Sequence, residues 1–175
     1  PLTVPRGLYS RSFRTRFGGF RIWASSKGLY ALDFGRIRER SSRRDPAPLP
    51  AVGLLLKKAE ARLKQYLSGR DVDFKGLQID WSGSRAFERR VLQELQRVKA
   101  GRPESYQFLA RQAGRPRAVR PVGRILGKNR LPLIIPCHRI VRKNGELGGF
   151  SKGLGWKKRL LKLEGTCVDT KSRVK

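Results

Sequence analysis

The chain contains a single histidine, and it directly follows one of only two cysteines in the segment IIPCHRI. A thiolate reacts with electrophiles whereas a thiol does not, so a cysteine with a base within reach is a candidate nucleophile. An imidazole can take the thiol proton, directly or through a water molecule, and a carboxylate behind the ring would fix its tautomer. Cys137 and His138 are therefore the candidate nucleophile and base.

A structural interpretation of the same pair remains open, because a buried cysteine is usually an inert small hydrophobe and a two-residue motif is short. Neighbouring side chains of an extended segment point to opposite sides, so proton transfer would need a water bridge or a turn at Pro136. Glu164, at the end of the final predicted helix, is the acid that we expect behind His138. Cys167 lies in a polar tail without a base, and we expect it to be inert.

The charge of the chain points to a polyanionic partner. Lys and Arg number 41 against 13 acidic residues, a formal net charge of +28. Residues 1–80 hold 17 basic and 7 acidic side chains (net +10), and residues 81–175 hold 24 and 6 (net +18). The alternative is a solvated, thermophile-like surface, which the absence of Met fits, but such surfaces usually mix Glu with Lys. We therefore favour nucleic acid as the partner.

The sequence argues against a membrane-spanning, secreted, disulfide-rich or zinc-binding protein. The sequence contains no run of about 18 apolar residues, so we expect no membrane span. Residues 1–13 lack the apolar core of a signal peptide. Two cysteines predict no disulfide framework and suit a reducing cytosol. One histidine and two cysteines cannot build a closed zinc site, so we expect neither a metal nor a cofactor. The expected location is the cytoplasm, at the nucleoid of a prokaryote, or the nucleus of a eukaryote.

The first part of the chain predicts a small α/β domain over residues 1–80 with a structural role. Residues 17–25 and 29–35 are typical of strands, and the turn at 26–28 joins them as a hairpin. Residues 36–50 are polar and proline-rich and predict a loop. A helical apolar pattern over 52–67 follows, and then an extended stretch over 72–81.

The second part, residues 81–175, predicts a mostly helical domain, so that the whole chain is α+β. Ser84 is expected to cap one helix and Ser105 a short one over 106–112. After a turn at 114–116, residues 117–128 predict a further helix, in whose first turn Pro121 is tolerated. Two short helices joined by a tight turn, the second rich in arginine, are a helix-turn-helix candidate.

The remainder of the chain is expected to place the Cys137–His138 pair and a glycine-rich loop ahead of a final helix. Residues 129–141 predict an extended apolar segment, and residues 144–155 a glycine-rich loop whose backbone can pass close to a ligand or a packed neighbour. Residues 157–165 predict a final helix. The tail from 166 onward is expected to fray.

At this point the motifs resemble a known family, the O6-alkylguanine-DNA alkyltransferases. The segment around Pro136-Cys137-His138-Arg139 is similar to the PCHR signature of that family. The segments SYQFLA, RAVRPVG, FSKGL and LEG, together with Asn129, stand in the family's order and spacing, and a looser match continues upstream from residue 84. The resemblance implies DNA repair by direct reversal, in which the alkyl group moves irreversibly from guanine O6 to the protein in a single turnover.

The resemblance also implies catalytic roles. Cys137 would accept the alkyl group, His138 would act as its water-mediated base, and Glu164 would orient His138. Asn129 would bridge the backbone turns around the cysteine. In this family the modified nucleotide is extruded from the duplex into a pocket, where these groups act on it.

Further residues are implied at the DNA surface and in the pocket. Arg120 would take the place of the extruded base and Tyr106 would rotate the 3′ phosphate and contact the purine edge, while small residues let the recognition helix approach the minor groove. The residues implied in DNA binding are Tyr106, Gln107, Arg115, Ala118, Arg120, Gly123 and Lys143. Those implied in the pocket are Tyr106, Pro136, Ile140, Phe150 and Ser151, with Phe150 at a position often held by Tyr. An ordinary phosphate-binding arginine and a core tyrosine are the alternatives for Arg120 and Tyr106.

Two rival functions follow from the same residues. A non-catalytic relative that only binds alkylated DNA would carry Trp where this chain has Cys137. A basic helix-turn-helix regulator with a structural Cys–His pair is the rival from a different class. The expected partner is double-stranded DNA with alkylated guanine. The protein is expected to be a monomer, and cooperative assembly on DNA and action on O4-alkylthymine are left open.

Overall fold

The computed structural model describes residues 7–35 and 48–174, which fall into two compact units with a boundary between Ser82 and Gly83. The first unit combines an antiparallel sheet with one long helix, and the second is mostly helical. The predicted α+β class is confirmed. The roles predicted for residues 1–80 and 81–175 stay predictions. No helix within the described ranges has the length and apolar character needed to cross a bilayer.

The sheet of the first unit has three strands, in the order β1 (Tyr9–Thr15), β2 (Gly18–Ser25) and β3 (Gly28–Gly35). The predicted hairpin is present as β2 and β3. Sequence reasoning missed β1, because Phe13 is its only buried residue and its hydrophobic alternation is faint. Phe13, Phe20 and Phe34 form a row across the strands, with ring centroids 5.2 and 5.5 Å apart.

The long helix α1 (Pro50–Leu67) packs on this sheet. Its first residue is a proline, which suits a position where no backbone N–H is needed. The predicted helix over 52–67 is therefore confirmed, and the buried Glu60 on its inner face pairs with Arg11 of β1 and Lys64. Most of the predicted loop over 36–50, residues 36–47, lies outside the described residues.

The stretch after α1 was predicted to be extended over 72–81, but it forms no strand. It meets the sheet through a single bridge between Leu29 and Ile79, with hydrogen bonds of 2.8 and 2.9 Å on either side. Gly28 lies at this contact with a φ of +134°, and a Cβ atom there would stand 2.6 Å from the Gln78 carbonyl oxygen. Only glycine fits this close approach.

Four helices build the second unit around two short parallel strands. Its elements are α2 (Ala86–Leu95), β4 (Glu104–Ser105), α3 (Tyr106–Gln112), α4 (Val119–Gly127), β5 (Ile140–Val141) and α5 (Leu154–Leu163). The cap predicted at Ser105 is confirmed, because its Oγ accepts a 3.0 Å hydrogen bond from the Phe108 N–H. The cap predicted at Ser84 is wrong: Arg85 is the N-cap of α2 and makes no side-chain cap bond.

Two expectations for the end of the chain are corrected by the structure. Residues 129–141 are not extended, since a short 3-10 helix forms at Cys137–Arg139. The tail does not fray: Val168 and Val174 pack against a cluster of Val141, Leu147 and Leu161, and the Val174 N–H donates to the Gly145 carbonyl at 2.9 Å. Two partly buried valines, six residues apart, anchor a polar tail that otherwise stays largely at the surface, and two isolated apolar residues do not stand out in the sequence.

Candidate active site and DNA-binding surface

Cys137 and His138 lie in a tight turn and not in an extended strand. The Cys137 N–H donates to the Ile135 carbonyl at 2.8 Å, and the Arg139 N–H donates to the Pro136 carbonyl at 3.0 Å. Because a 3-10 helix has three residues per turn, neighbouring side chains diverge by about 120° and not by the half-turn of a strand. The turn that sequence reasoning required near Pro136 is therefore present.

Asn129 connects the backbone before Cys137 to the thiol itself. Its side-chain amide donates to the Ile135 carbonyl at 2.8 Å and to Cys137 Sγ at 3.2 Å, and its oxygen accepts from the Leu131 N–H at 3.0 Å. A donor aimed at sulfur favours the thiolate over the thiol. Asn129 thus holds the shape of the turn and at the same time stabilises the charged form of Cys137.

His138 is fully buried and is held by Glu164 from the end of α5. The His138 Nε2 atom lies 2.9 Å from Glu164 Oε1, and neither side chain is appreciably exposed. With Nε2–H donating to the carboxylate, Nδ1 carries the lone pair and is the ring nitrogen that can accept a proton. This is the base arrangement that sequence reasoning expected of His138 and Glu164.

Arg139 fixes Glu164 from the other side. Its guanidinium donates to both carboxylate oxygens, at 2.9 to 3.2 Å, and also to the Val98 carbonyl at 2.5 Å. A bidentate arginine is geometrically demanding and holds the carboxylate in one plane. Arg139 was not among the expected site residues, although it stands inside the motif that identified them.

The protonation states of the three central groups agree with a resting thiol beside a neutral base. Burial raises the pKa of the Cys137 thiol, although the Asn129 amide and the charge of Lys157 oppose it. Burial lowers the pKa of His138 in spite of Glu164. For Glu164, burial alone would raise the pKa, but the hydrogen bonds from His138 and Arg139, together with the positive charge of Arg139, outweigh it and lower the pKa to about 2.

These shifts predict acid sensitivity of the folded state. The pKa of Glu164 falls from 4.5 to about 2, so its contribution is present above pH 4.5 and is lost as the pH falls toward 2. The free energy of unfolding should drop by on the order of 3 kcal/mol over this interval from Glu164 alone. In urea unfolding at a series of pH values, Glu164→Gln should remove this part of the slope. Parallel curves for the two proteins would show that folding does not lower the pKa of Glu164.

Tyr106 packs between α4 and the glycine-rich loop over 144–155. A Cβ atom on Gly148 would lie 3.0 Å from the Tyr106 hydroxyl oxygen, and one on Gly123 would lie 4.0 Å from the Tyr106 ring. Gly148 also has a φ of +64°, which favours glycine. Burial, and then the nearby Cys137 sulfur, raise the pKa of Tyr106. The tyrosine is therefore a neutral hydroxyl close to the thiol.

The helix-turn-helix consists of α3 and α4, which contact each other and α2. Val122 and Leu126 of α4 are buried, whereas Arg120 is exposed. Gln107, Arg115 and Lys143 are exposed as well. The remaining expected residues of this surface are Ala118, which is the N-cap of α4, and Gly123. Arg115 also stacks over the Phe87 ring at 4.7 Å, a contact that sequence reasoning did not foresee.

The Cys137 thiol is nearly closed off, and the residues expected to line its pocket differ in exposure. Cys137 is 5% exposed and Pro136 and Ile140 are buried, whereas Ser151 is exposed in the loop. The Phe150 ring lies edge-on to His138, with centroids 6.4 Å apart. A cavity of about 350 Å³ lies elsewhere in the unit, beside Val98 and Phe108, and Cys137 does not line it. Within residues 7–35 and 48–174, no three His, Cys, Asp or Glu side chains gather as metal ligands would.

The sequence of this second unit matches a known family. The profile described as 6-O-methylguanine DNA methyltransferase, DNA binding domain, matches residues 86–166. The methylated-DNA--protein-cysteine methyltransferase of Metallosphaera sedula is 35% identical over 161 residues, which cover 92% of this chain and 96% of the relative. The protein of the same name from Methanosarcina barkeri is 32% identical over 157 residues, 90% of this chain and 97% of the relative.

Solved structures agree with the sequence matches. The O6-methylguanine methyltransferase of Mycobacterium tuberculosis is 30% identical and superposes with a TM-score of 0.73, covering 95% of this chain and 94% of its own. Mycobacterium tuberculosis OGT in complex with DNA gives 30% identity and a TM-score of 0.71, over 89% and 91% of the two chains. Fold and sequence thus agree on one class of protein, the alkyltransferases that the PCHR segment resembles. The chain belongs to this family, whose curated members carry the name methylated-DNA--protein-cysteine methyltransferase.

Proposed function

We propose that this protein repairs DNA by transferring the alkyl group of O6-alkylguanine to its own Cys137, once per molecule. The observation that carries the proposal is the contact of the Asn129 amide with Cys137 Sγ at 3.2 Å, next to the buried His138–Glu164 pair. A sulfur with a donor on one side and a neutral base in the adjoining residue is an activated nucleophile. Methyl transfer from alkylated duplex DNA to the intact protein is the experiment that tests it.

The chemical step requires no co-reactant. His138 Nδ1 takes the thiol proton through a water molecule, and the Cys137 thiolate attacks the alkyl carbon from the side opposite guanine O6. The S–C bond forms as the C–O bond breaks, and the electron pair stays on guanine, which takes up the proton that the imidazole received. Glu164 stabilises the imidazolium meanwhile. The product thioether has no route to hydrolysis, so each molecule acts once.

Access to the thiol requires that the target nucleotide leave the base stack. We assign the exposed Arg120 to the space that the base vacates, where a planar guanidinium replaces part of the lost stacking. Ala118 and Gly123 keep that side of α4 small, so that the helix can approach the minor groove. Tyr106 would turn the 3′ phosphate and hold the purine edge. Because Cys137 is only 5% exposed, the site would have to open further to admit the base.

Recognition of guanine would combine backbone acceptors with a hydroxyl donor. The Cys137 and Ile140 carbonyls already accept bonds from the Ile140 N–H and the Lys157 ammonium, and each has a second lone pair for the exocyclic amine. Ser151 would donate toward O6. Phe150 would form a wall against which the base stacks, without the hydroxyl that a tyrosine would add. Pro136 completes this side of the pocket.

The DNA backbone would be held by basic and polar side chains that carry no sequence information. Gln107, Arg115 and Lys143 are the residues that we assign to phosphate contacts, supported by a net charge of +28. We further propose that residues 81–175 contain both the DNA-binding and the alkyl-transfer functions and that residues 1–80 have a structural role. The protein would act as a monomer, in the compartment that holds the DNA, with O4-alkylthymine as a secondary substrate.

Binding to unmodified duplex should weaken steeply with salt. Six to ten phosphate contacts would release enough counterions to lower the affinity by roughly 10³–10⁵ between about 50 and 200 mM salt. Fluorescence anisotropy of a labelled duplex at several salt concentrations measures the slope. A response that stays flat over this range would remove the electrostatic account of DNA binding.

A further inference from the structure

Lys157 is a buried cation that the proposed chemistry does not use. It lies in the first half of α5 and has a solvent exposure of 0%. It shares the inward face of the helix with Leu160 and Leu161, both fully buried. A lysine almost never occupies such a position unless its charge is compensated, because desolvation of an ammonium group costs several kcal/mol. Its contacts should therefore explain why it is retained.

The ammonium group of Lys157 joins the two sides of the active site. It donates to the Ile140 carbonyl at 2.5 Å, directly after the turn that carries Cys137. It also donates to the carbonyls of Leu147 and, at 3.4 Å, Gly149 in the glycine-rich loop. The Ile140 carbonyl lies seven residues before that of Leu147 and nine before that of Gly149, and three N–H donors of one side chain hold these segments together.

We propose that Lys157 is a positioning residue for alkyl transfer, which ties the backbone after Cys137 to the loop over 147–149 and whose charge stabilises the Cys137 thiolate. The inference rests on the proposed function, because it names what prepares the nucleophile for that reaction. The ammonium group acts through the backbone and the sulfur and does not touch the alkyl group.

The titratable groups around Lys157 support this role. Cys137 and His138 in the 3-10 helix both interact electrostatically with Lys157. Glu164 is paired with Arg139 and His138, and Tyr106 of α3 is within electrostatic reach of Cys137. Burial lowers the pKa of Lys157 to about 8, and the Cys137 sulfur acts in the opposite direction. The ammonium form therefore predominates at neutral pH. It favours the thiolate and disfavours a charged imidazole, so that the base stays neutral before the reaction.

Three substitutions separate the two parts of the proposal, all in a Cys167→Ser background so that Cys137 is the only thiol. Lys157→Gln keeps hydrogen-bond donors without the charge, Lys157→Arg keeps both, and Lys157→Met removes both. Lys158→Gln, one residue along the same helix, is the matched control. The rates of modification of Cys137 by iodoacetamide and by free O6-benzylguanine are measured against pH, with thermal unfolding to verify the fold.

Loss of the charge should shift the rate–pH curve of Lys157→Gln toward higher pH by about one pH unit for both reagents. At neutral pH this is roughly a tenfold loss of rate. Lys157→Arg and Lys158→Gln should keep the wild-type curve. Lys157→Met should in addition react slowly with O6-benzylguanine even where the thiol is fully ionised, but not with iodoacetamide, which needs no shaped pocket.

Three outcomes would overturn the inference. A Lys157→Gln curve that coincides with wild type removes the effect of the charge, and equal slowing of both reagents in Lys157→Met removes the anchoring of the loop. Failure of both neutral variants to fold would make Lys157 a residue of stability alone. The proposed function is judged separately: a wild-type protein that shows the expected iodoacetamide profile but takes no methyl group from DNA contradicts that function, and of the role of Lys157 it leaves only the effect of its charge on the thiol.

Discussion

After incubation with a methylated duplex, the wild-type protein should gain the mass of one methylene group, located at Cys137, and Cys137→Ala should gain none. The loss should be complete, because no other group in the site can form the thioether. Cys137→Ser should also fall below detection, since a hydroxyl is far less nucleophilic than a thiol in the same surroundings. Intact-protein mass spectrometry, followed by peptide mapping, measures both the stoichiometry and the position.

Cys167 is the matched control for this experiment. It is exposed, whereas Cys137 is buried, so chemical reactivity without a site would favour Cys167. Cys167→Ser should keep full methyl transfer at a stoichiometry of one. Stoichiometric labelling of Cys137→Ala, or a label found at Cys167, would show that the nucleophile has been assigned wrongly and would favour a DNA-binding regulator with a structural Cys–His pair.

Arg120→Ala should slow repair of methylated duplex DNA by roughly 10- to 100-fold while it leaves the reaction with free O6-benzylguanine unchanged. Only the duplex requires extrusion of a base, and the few kcal/mol of unstacking are no longer offset when the guanidinium is absent. Single-turnover rates with the two substrates, measured on the same protein preparation, give the ratio that isolates this effect.

Arg124, one turn further along α4 and also exposed, provides the control on the same helix. Arg124→Ala removes the same positive charge, so it should weaken duplex binding but leave the ratio of the two rates close to that of wild type once DNA is saturating. If Arg120→Ala slows both substrates equally, the arginine has no part in extrusion. If both variants change the ratio alike, the effect belongs to general electrostatics.

Much of the site could be predicted from the sequence because its parts carry local signals. Ser105 precedes a short helix as a cap should, and the pattern of α5 ends at Glu164, which the structure joins to His138 at 2.9 Å. That joining could not be derived from spacing, since 26 residues separate the two. Glu164 was expected there because it ends the final predicted helix, and the family resemblance implies the same role; the comparisons with known proteins confirm the family.

The two buried cations could not be predicted in the same way. Lys157 stands in the run KKRLL, where a basic residue is far more often on the surface than in a core. One signal was present: Lys157 falls three and four residues before Leu160 and Leu161, on the apolar face of the helix. Arg139 was visible in the motif, but its contact with the Val98 carbonyl depends on the tertiary fold.

The wrong predictions of secondary structure also have a common cause: the conformation of a short segment depends on residues that are distant in the sequence. The strand β1 buries one phenylalanine, and the residues around Cys137 bend because Asn129 and backbone groups hold them. Periodicity over a few residues cannot reveal such partners. Ser84 was placed one residue from the true start of α2, within the usual uncertainty of helix ends.

The packing of Val168 and Val174 under Val141 and Leu147 has a consequence for how the protein is made. The loop that follows the reactive turn is pinned by a segment that the ribosome delivers about 30 residues later, and domains acquire their structure as the chain emerges. Until residue 174 has been synthesised, the loop that follows Cys137 lacks these contacts. A nascent chain is therefore expected to remain inert toward damaged DNA until translation has passed this point.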